Sequence, residues 1–146
     1  MNAARSTLAR AEDGFTLIEI MVVVVIIGLL AAIVAPNLIG NIDRAAVTRT
    51  KGDIRSIETA LNLFRLDNFK YPSTDEGLDA LVSNPGEASA PNWKQYLRNV
   101  PSDAWSNPYQ YRYPGQQGEF DVFSYGADGQ EGGEDINADI GNWDLD

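Results

Sequence analysis

Neither cysteine nor histidine occurs anywhere in the 146 residues. Without cysteine there is no disulfide framework, thiolate nucleophile or zinc-thiolate site, and without histidine the commonest general base and metal ligand is missing. Triad hydrolases and zinc enzymes that depend on those residues are excluded. Basic residues are scarce in the second half. Residues 71–146 carry three Lys+Arg against 14 Asp+Glu, residues 1–70 carry eight against seven, and the formal net charge is −10. Phosphate neutralisation needs a basic face, so the second half offers nucleic acid no partner. Residues 119–146 hold nine acids (Glu119, Asp121, Asp128, Glu131, Glu134, Asp135, Asp139, Asp144, Asp146) and no base, which predicts a cation there. The length suits one small domain with an appendage.

What is present begins with a long apolar run. Between residues 15 and 35 the only polar side chains are Thr16 and Glu19. At about 1.5 Å per residue, some twenty helical residues cross a hydrocarbon core of roughly 30 Å. Arg5 and Arg10 before it favour an N-in orientation, which puts everything after Pro36 outside the cytoplasm. Two readings compete, a cleaved secretory signal and a retained anchor. The small residues Ala31, Ala32 and Ala35 lie inside the apolar run rather than after it, which favours the anchor.

Glu19 is the anomaly in this run. A carboxylate in an apolar helix costs several kcal/mol unless it is paired or neutralised. No Lys or Arg stands between Arg10 and Arg44, so no side chain of the same subunit is an obvious partner. A cut between Gly14 and Phe15 would create an α-amino group four residues from Glu19, and a neighbouring subunit's amine could then pair with it. The alternative is a shallow Glu19 that reaches water.

Beyond the run, Pro36 predicts a kink or break in the helix. Apolar positions resume at Leu38, Ile42, Ala45 and Ala46. Ile54, Ile57, Leu61 and Phe64 then form one face of an amphipathic helix whose other side is charged, with Asp43, Arg44, Arg49 and Asp53 as candidates for contacts between subunits. Ser73 to Glu76 is an S-x-x-E capping box ahead of Leu78, Leu81 and Val82, predicting a short second helix that ends at Asn84-Pro85-Gly86. Residues 87–92 read as a surface loop whose return Trp93, Tyr96 and Leu97 anchor. Alternation over 109–113 and 119–125 about Pro114-Gly115 predicts an antiparallel hairpin. A small sheet on the apolar stripe of the long helix makes an α+β domain. Residues 125–143 combine five glycines with Asp128, Glu131, Glu134, Asp135 and Asp139. Turn-permissive backbone with carboxylate and carbonyl oxygens suits calcium, although the EF-hand spacing is absent; a solvated tail is the competing reading.

Gly14-Phe15-Thr16-Leu17-Ile18-Glu19, the apolar run, and then Pro36-Asn37 resemble the signal of type IV pilins and pseudopilins. The stretches 66–82, 103–111, 121–133 and 138–143 resemble, in order, the major pseudopilins of the type II secretion system, the general secretion pathway protein G family. The resemblance implies a type IV pilin-like fold: a leader over 1–14, a filament-core helix over 15–36, and a periplasmic α+β domain over 37–146 with a calcium-binding loop. It implies that a prepilin peptidase cuts after Gly14 and methylates the Phe15 amine, and that Glu19 pairs with a neighbour's Phe15 amine during assembly. It further implies a non-enzymatic subunit anchored in the inner membrane that polymerises into a periplasmic pseudopilus, with minor pseudopilins and an inner-membrane assembly platform as partners. For calcium it points to the Asp128 and Asp139 side chains and the Tyr125 and Gln130 carbonyls, with Glu134 one source of a further oxygen. Ala138, where some relatives carry a second Asp, and the long 128–139 segment depart from the pattern. So do Ala104 and Ser106, where relatives often have Pro and Gly. The rival readings are a signal-anchored periplasmic calcium-binding module, and a minor pseudopilin or type IV pilin. An enzyme built on a carboxylate pair is more distant.

Overall fold

The computed structural model describes residues 14–145, and the side chains of 35–39 are outside the description. The leader, with Arg5 and Arg10, and the final Asp146 therefore lie outside the described residues. The chain divides into two units, Met1–Gly40 and Asn41–Asp146. Helix α1 runs over Leu17–Asn68. The break expected at Pro36 does not occur: the backbone is helical at Pro36 and on both sides of it. A proline removes one backbone bond from a helix, and the remaining bonds of a helix this long hold it.

In the first unit the apolar side chains are uncovered. Every described residue from Gly14 to Val34 is exposed, and the stretch Leu17–Val34 is long and apolar enough to span a bilayer with none of it buried. A surface of this kind is stable only when lipid or other protein covers it.

In the second unit the stripe read from the sequence is the core. Ile54, Ile57, Leu61 and Phe64 are each no more than 1% exposed and are joined by Tyr71, Leu81, Tyr109, Phe120 and Val122. Ile42 departs from that reading, since it is 67% exposed. The capping box at Ser73 forms in full: the Ser73 amide donates to Glu76 Oε2 (2.7 Å) and the Glu76 amide donates to Ser73 Oγ (3.2 Å). It caps only a turn, however, because Gly77 at φ +61° breaks the backbone path. The expected second helix shrinks to a 3-10 turn over Leu78–Leu81. The 87–92 loop is less of a surface loop than its composition suggests, since Ala90 is buried. The return after it is anchored as read, with Trp93 Nε1 donating to the Ala80 carbonyl (2.7 Å) and the Tyr96 and Leu97 amides to that of Leu81. The Lys94 ammonium and the Tyr96 hydroxyl beside Asp67 hold its carboxyl below the usual range and tie this segment to the end of α1.

The hairpin is β1 (Gln110–Arg112) and β2 (Asp121–Ser124), antiparallel with Tyr111 opposite Val122. A third strand that the sequence did not announce, β3 (Ile140–Gly141), pairs with the far side of β2. Asn142 extends that pairing with its side chain, accepting from the Val122 amide (3.0 Å) and donating to the Phe120 carbonyl (3.1 Å). Strand β2 is thus central, and all four of its residues are buried. Val122 faces the α1 stripe. On the opposite face Phe123 meets Tyr125 (5.2 Å) and Trp143 (5.7 Å), and the Arg112 guanidinium lies over its ring.

Two buried carboxylates organise the turns. Asp121, counted above among acids in need of a cation, instead accepts the amides of Gln116 (2.6 Å), Gln117 (3.1 Å) and Gly118 (3.2 Å) in the hairpin turn. Asp103 accepts the amides of Trp105 (3.0 Å) and Asn107 (2.8 Å) and the Ser124 hydroxyl (2.5 Å). Within that second turn Ser106 sits at φ +72°, the left-handed region glycine enters without strain. Ser106→Gly should therefore raise stability by roughly 0.5–1 kcal/mol, read as a denaturation midpoint shifted upward by a few degrees. An unchanged or lowered midpoint would show that the turn is not strained at this position.

Candidate functional site

The sequence-derived candidates fall into two groups, one in each unit. At the start of α1, Thr16 and Glu19 make a capping box of their own. The Thr16 amide and hydroxyl donate to Glu19 Oε2 (3.0 and 2.9 Å), and the Glu19 amide donates to Thr16 Oγ1 (3.2 Å). Glu19 therefore has a partner within its own subunit, contrary to the reading that looked only for Lys and Arg. The signal was legible, since T-x-x-E before an apolar run is the same pattern as that at Ser73. Gly14 and Phe15 precede the helix and are exposed, Phe15 at 82%.

The second group lies in the acidic loop, whose ends are pinned together. The Ala127 amide donates to the Ile136 carbonyl (2.9 Å), the Gly126 amide to Ser124 Oγ (3.0 Å), and Asn107 Nδ2 to the Gly126 carbonyl (2.9 Å). Gly126 is required at this crossing: its φ is +69°, and a Cβ there would stand 2.7–2.8 Å from the backbone of Ile136 and Asn137. Within the loop, Asp128 Oδ1 accepts the Gln130 amide (3.1 Å) and Asp139 Oδ2 the Gly132 amide (3.0 Å). The other Asp139 oxygen, Oδ1, is buried without a hydrogen-bond partner.

Beneath the loop is a small cavity of about 100 Å³. Asp139 and Tyr125, both candidates from the sequence, line it together with Glu131, Asp121, Arg112 and Trp143. Asp128, Gln130 and Glu134 are not among its lining residues, whereas Glu131, which the sequence reading did not select, is. Among the described residues no three acidic side chains converge as a metal cage. A site here would therefore combine one or two carboxylates with backbone carbonyls.

A single uncovered apolar helix that opens on Gly14-Phe15 and continues into a small α+β domain defines a pilin-like protein. The comparisons agree. The prokaryotic N-terminal methylation motif matches residues 9–35, and the type II secretion system (T2SS) protein G family matches residues 37–143. Type II secretion system core protein G of Pseudomonas aeruginosa is 57% identical over 138 residues, spanning 92% of this chain and 97% of that protein. The Vibrio cholerae protein of the same name is 51% identical over 138 residues, spanning 93% and 94%. The crystal structure of the major pseudopilin from the type 2 secretion system of enterohaemorrhagic Escherichia coli aligns with a TM-score of 0.64 at 43% identity, covering 74% of this chain and 95% of that one. The chain belongs to the type II secretion system protein G family.

The pinned base of the loop carries a direct test. Gly126→Ala should cost about 2–3 kcal/mol, because it adds backbone strain to a steric clash. Gly132→Ala has a positive φ of +90° but open space around the added methyl, and should cost only about 1 kcal/mol. Equal losses for the two in urea denaturation would mean that the crossing at Gly126 is not closed.

Proposed function

We propose that this chain is the repeating subunit of a periplasmic pseudopilus that supports export of folded proteins across the outer membrane. It is held in the inner membrane with residues 37–146 in the periplasm. A prepilin peptidase cuts it after Gly14 and methylates Phe15, and it then polymerises with copies of itself, alongside minor pseudopilins and the inner-membrane assembly platform. It performs no catalysis. The observation that carries this reading is the uncovered apolar helix directly behind Gly14-Phe15, a surface that lipid covers in the free subunit and packed helices cover in a fibre. In the free subunit the Thr16 hydroxyl and amide satisfy Glu19, and on assembly the methylated Phe15 amine of a neighbour supplies an opposite charge at the same depth. Charge pairing in a low-dielectric setting outweighs the neutral contact it replaces. Glu19→Ala should leave the subunit inserted and folded while abolishing fibres in a shear-and-sediment assay. A monomeric anchored calcium-binding module would tolerate that substitution, so normal fibres would overturn the pairing.

The acidic loop completes the reading as a structural calcium site. The residues fit such an ion on the orphaned Asp139 oxygen and on the second carboxylate at Glu131 in the same cavity. Hard oxygen donors of this kind suit calcium. Asp139 and the Tyr125 carbonyl would hold the ion. Asp128 and the Gln130 carbonyl would join from the loop, and Glu131 or Glu134 would supply the oxygen that Ala138 cannot. Bound, the ion supplies charge neutralisation and loop closure, with no chemistry of its own. Calcium at about a hundred times its dissociation constant should stabilise the protein by roughly 2.7 kcal/mol over chelator, a rise in melting midpoint of about 10 °C or more. Full-length protein in nonionic detergent should show this shift and lose it in Asp139→Ala and Asp128→Ala. A midpoint indifferent to calcium would leave the loop a purely protein-held structure.

A further inference from the structure

The cavity that Asp139 lines also contains a cation of the protein's own. Arg112 on β1 lies over the Phe123 ring, 5.7 Å from its centroid, and enters the same walls as Glu131 and Asp139. Among the described residues its one ion pair is long, 3.9 Å to Asp121 Oδ2. Asp121 takes its short hydrogen bonds from three turn amides, so the guanidinium is not fixed to it by a close hydrogen bond. Asp121 is itself one of the cavity carboxylates that Arg112 faces, with Glu131 and Asp139. In a region where residues 119–146 hold no Lys or Arg, it is the cation that strand β1 delivers to the loop.

We infer that Arg112 is the loop's resident counter-ion, which balances the cavity carboxylates when no metal is bound and lowers the affinity of the loop for a divalent cation. The inference rests on the calcium reading above. Charges that line one cavity of about 100 Å³ are separated by lengths comparable to the roughly 8 Å over which physiological salt screens them. At low salt, a charge of +1 opposing +2 at about 8 Å or a little less in water-like surroundings weakens binding about five- to tenfold. The ring contact holds the guanidinium in place, since a planar cation stacks on an aromatic face while keeping its edge available to carboxylates. Arg112 therefore acts in opposite senses on the two states: it stabilises the metal-free loop and opposes the metal-bound one.

The test uses full-length protein in nonionic detergent, calcium chloride as the probe, calorimetry for affinity, and thermal melts in chelator read by fluorescence, to which Trp143 in the cavity wall contributes. Arg112→Gln removes the charge, and Arg112→Lys keeps it while losing the planar stack. The Gln variant should bind calcium about five- to tenfold more tightly than wild type, with the gap narrowing as salt rises, and should melt below the Lys variant in chelator. The Lys variant should bind within about twofold of wild type. Wild-type affinity in the Gln variant, or an equal effect of both substitutions, would overturn the charge role. Absence of any calcium response in wild type would instead bring down the calcium reading, and the metal-opposing role with it.

Discussion

Strand β2 is buried on both faces, and most of the second unit follows from covering it. One face is met by the stripe of α1 built from Ile54, Ile57, Leu61 and Phe64, and Val122 inserts there with no exposure at all. The other face carries Asp121 and Phe123, and among the described residues there is no second α-helix to cover them. Cover comes from the chain beyond β2, which loops out, crosses itself at Gly126, and returns as β3 and Trp143. Gly141 makes the last step possible, because a Cβ there would stand 2.4–2.5 Å from the Trp143 ring. The C-terminus is then tied back to α1 by the Arg55 guanidinium, which donates to the Leu145 carbonyl. The acidic loop is accordingly part of the fold's second layer rather than an appendage to it.

The first unit obeys the opposite rule. Its described side chains from Gly14 to Val34 are all exposed, and the two polar ones among them, Thr16 and Glu19, satisfy each other at the helix start. Such a segment is complete as an anchored helix but carries a large apolar surface that only an outside partner removes. The two units thus divide the work, one stable through internal burial and the other through its surroundings. A family whose members are core proteins of a secretion machine uses both.

The parts legible in the sequence are those governed by local periodicity. The α1 stripe, the β1–β2 hairpin and the apolar run each repeat at the spacing of their element, so they could be read directly. Of the kink or break expected at Pro36, the break is absent, since a single lost bond does not outweigh the bonds of a long helix. The second helix failed at Gly77, whose positive φ is a backbone fact the capping box does not reveal. Strand β3 was invisible because two residues cannot show alternation, and its pairing is carried partly by the Asn142 side chain. In the candidate site, Asp139 and Tyr125, which the family resemblance pointed to, line one cavity, whereas Glu131 and Arg112 arrive there through strand pairing and loop crossing. No local pattern encodes that.

The distribution of charge sharpens what the loop needs. Two acids of the second unit that look unbalanced in the sequence, Asp103 and Asp121, are solvated by backbone amides, which a protein can supply without any counter-charge. The carboxylates from Asp128 to Asp139 are not treated this way in full: two take one amide each from within the loop, and an oxygen of Asp139 is buried with no donor. Backbone amides are available only where the chain turns tightly around a carboxylate, and a loop that must also cross itself and cover Phe123 cannot turn around five of them. The exposed carboxylates of Glu131, Glu134 and Asp135 face solvent, and the buried Asp139 oxygen is the one left with no donor. Arg112 brings a single positive charge from β1, less than the loop carries, and the deficit repeats at every copy once subunits are stacked. A cation that neutralised it in each subunit, as proposed above, would stabilise the single fold and, by the same charge, lower the repulsion between acidic copies brought side by side.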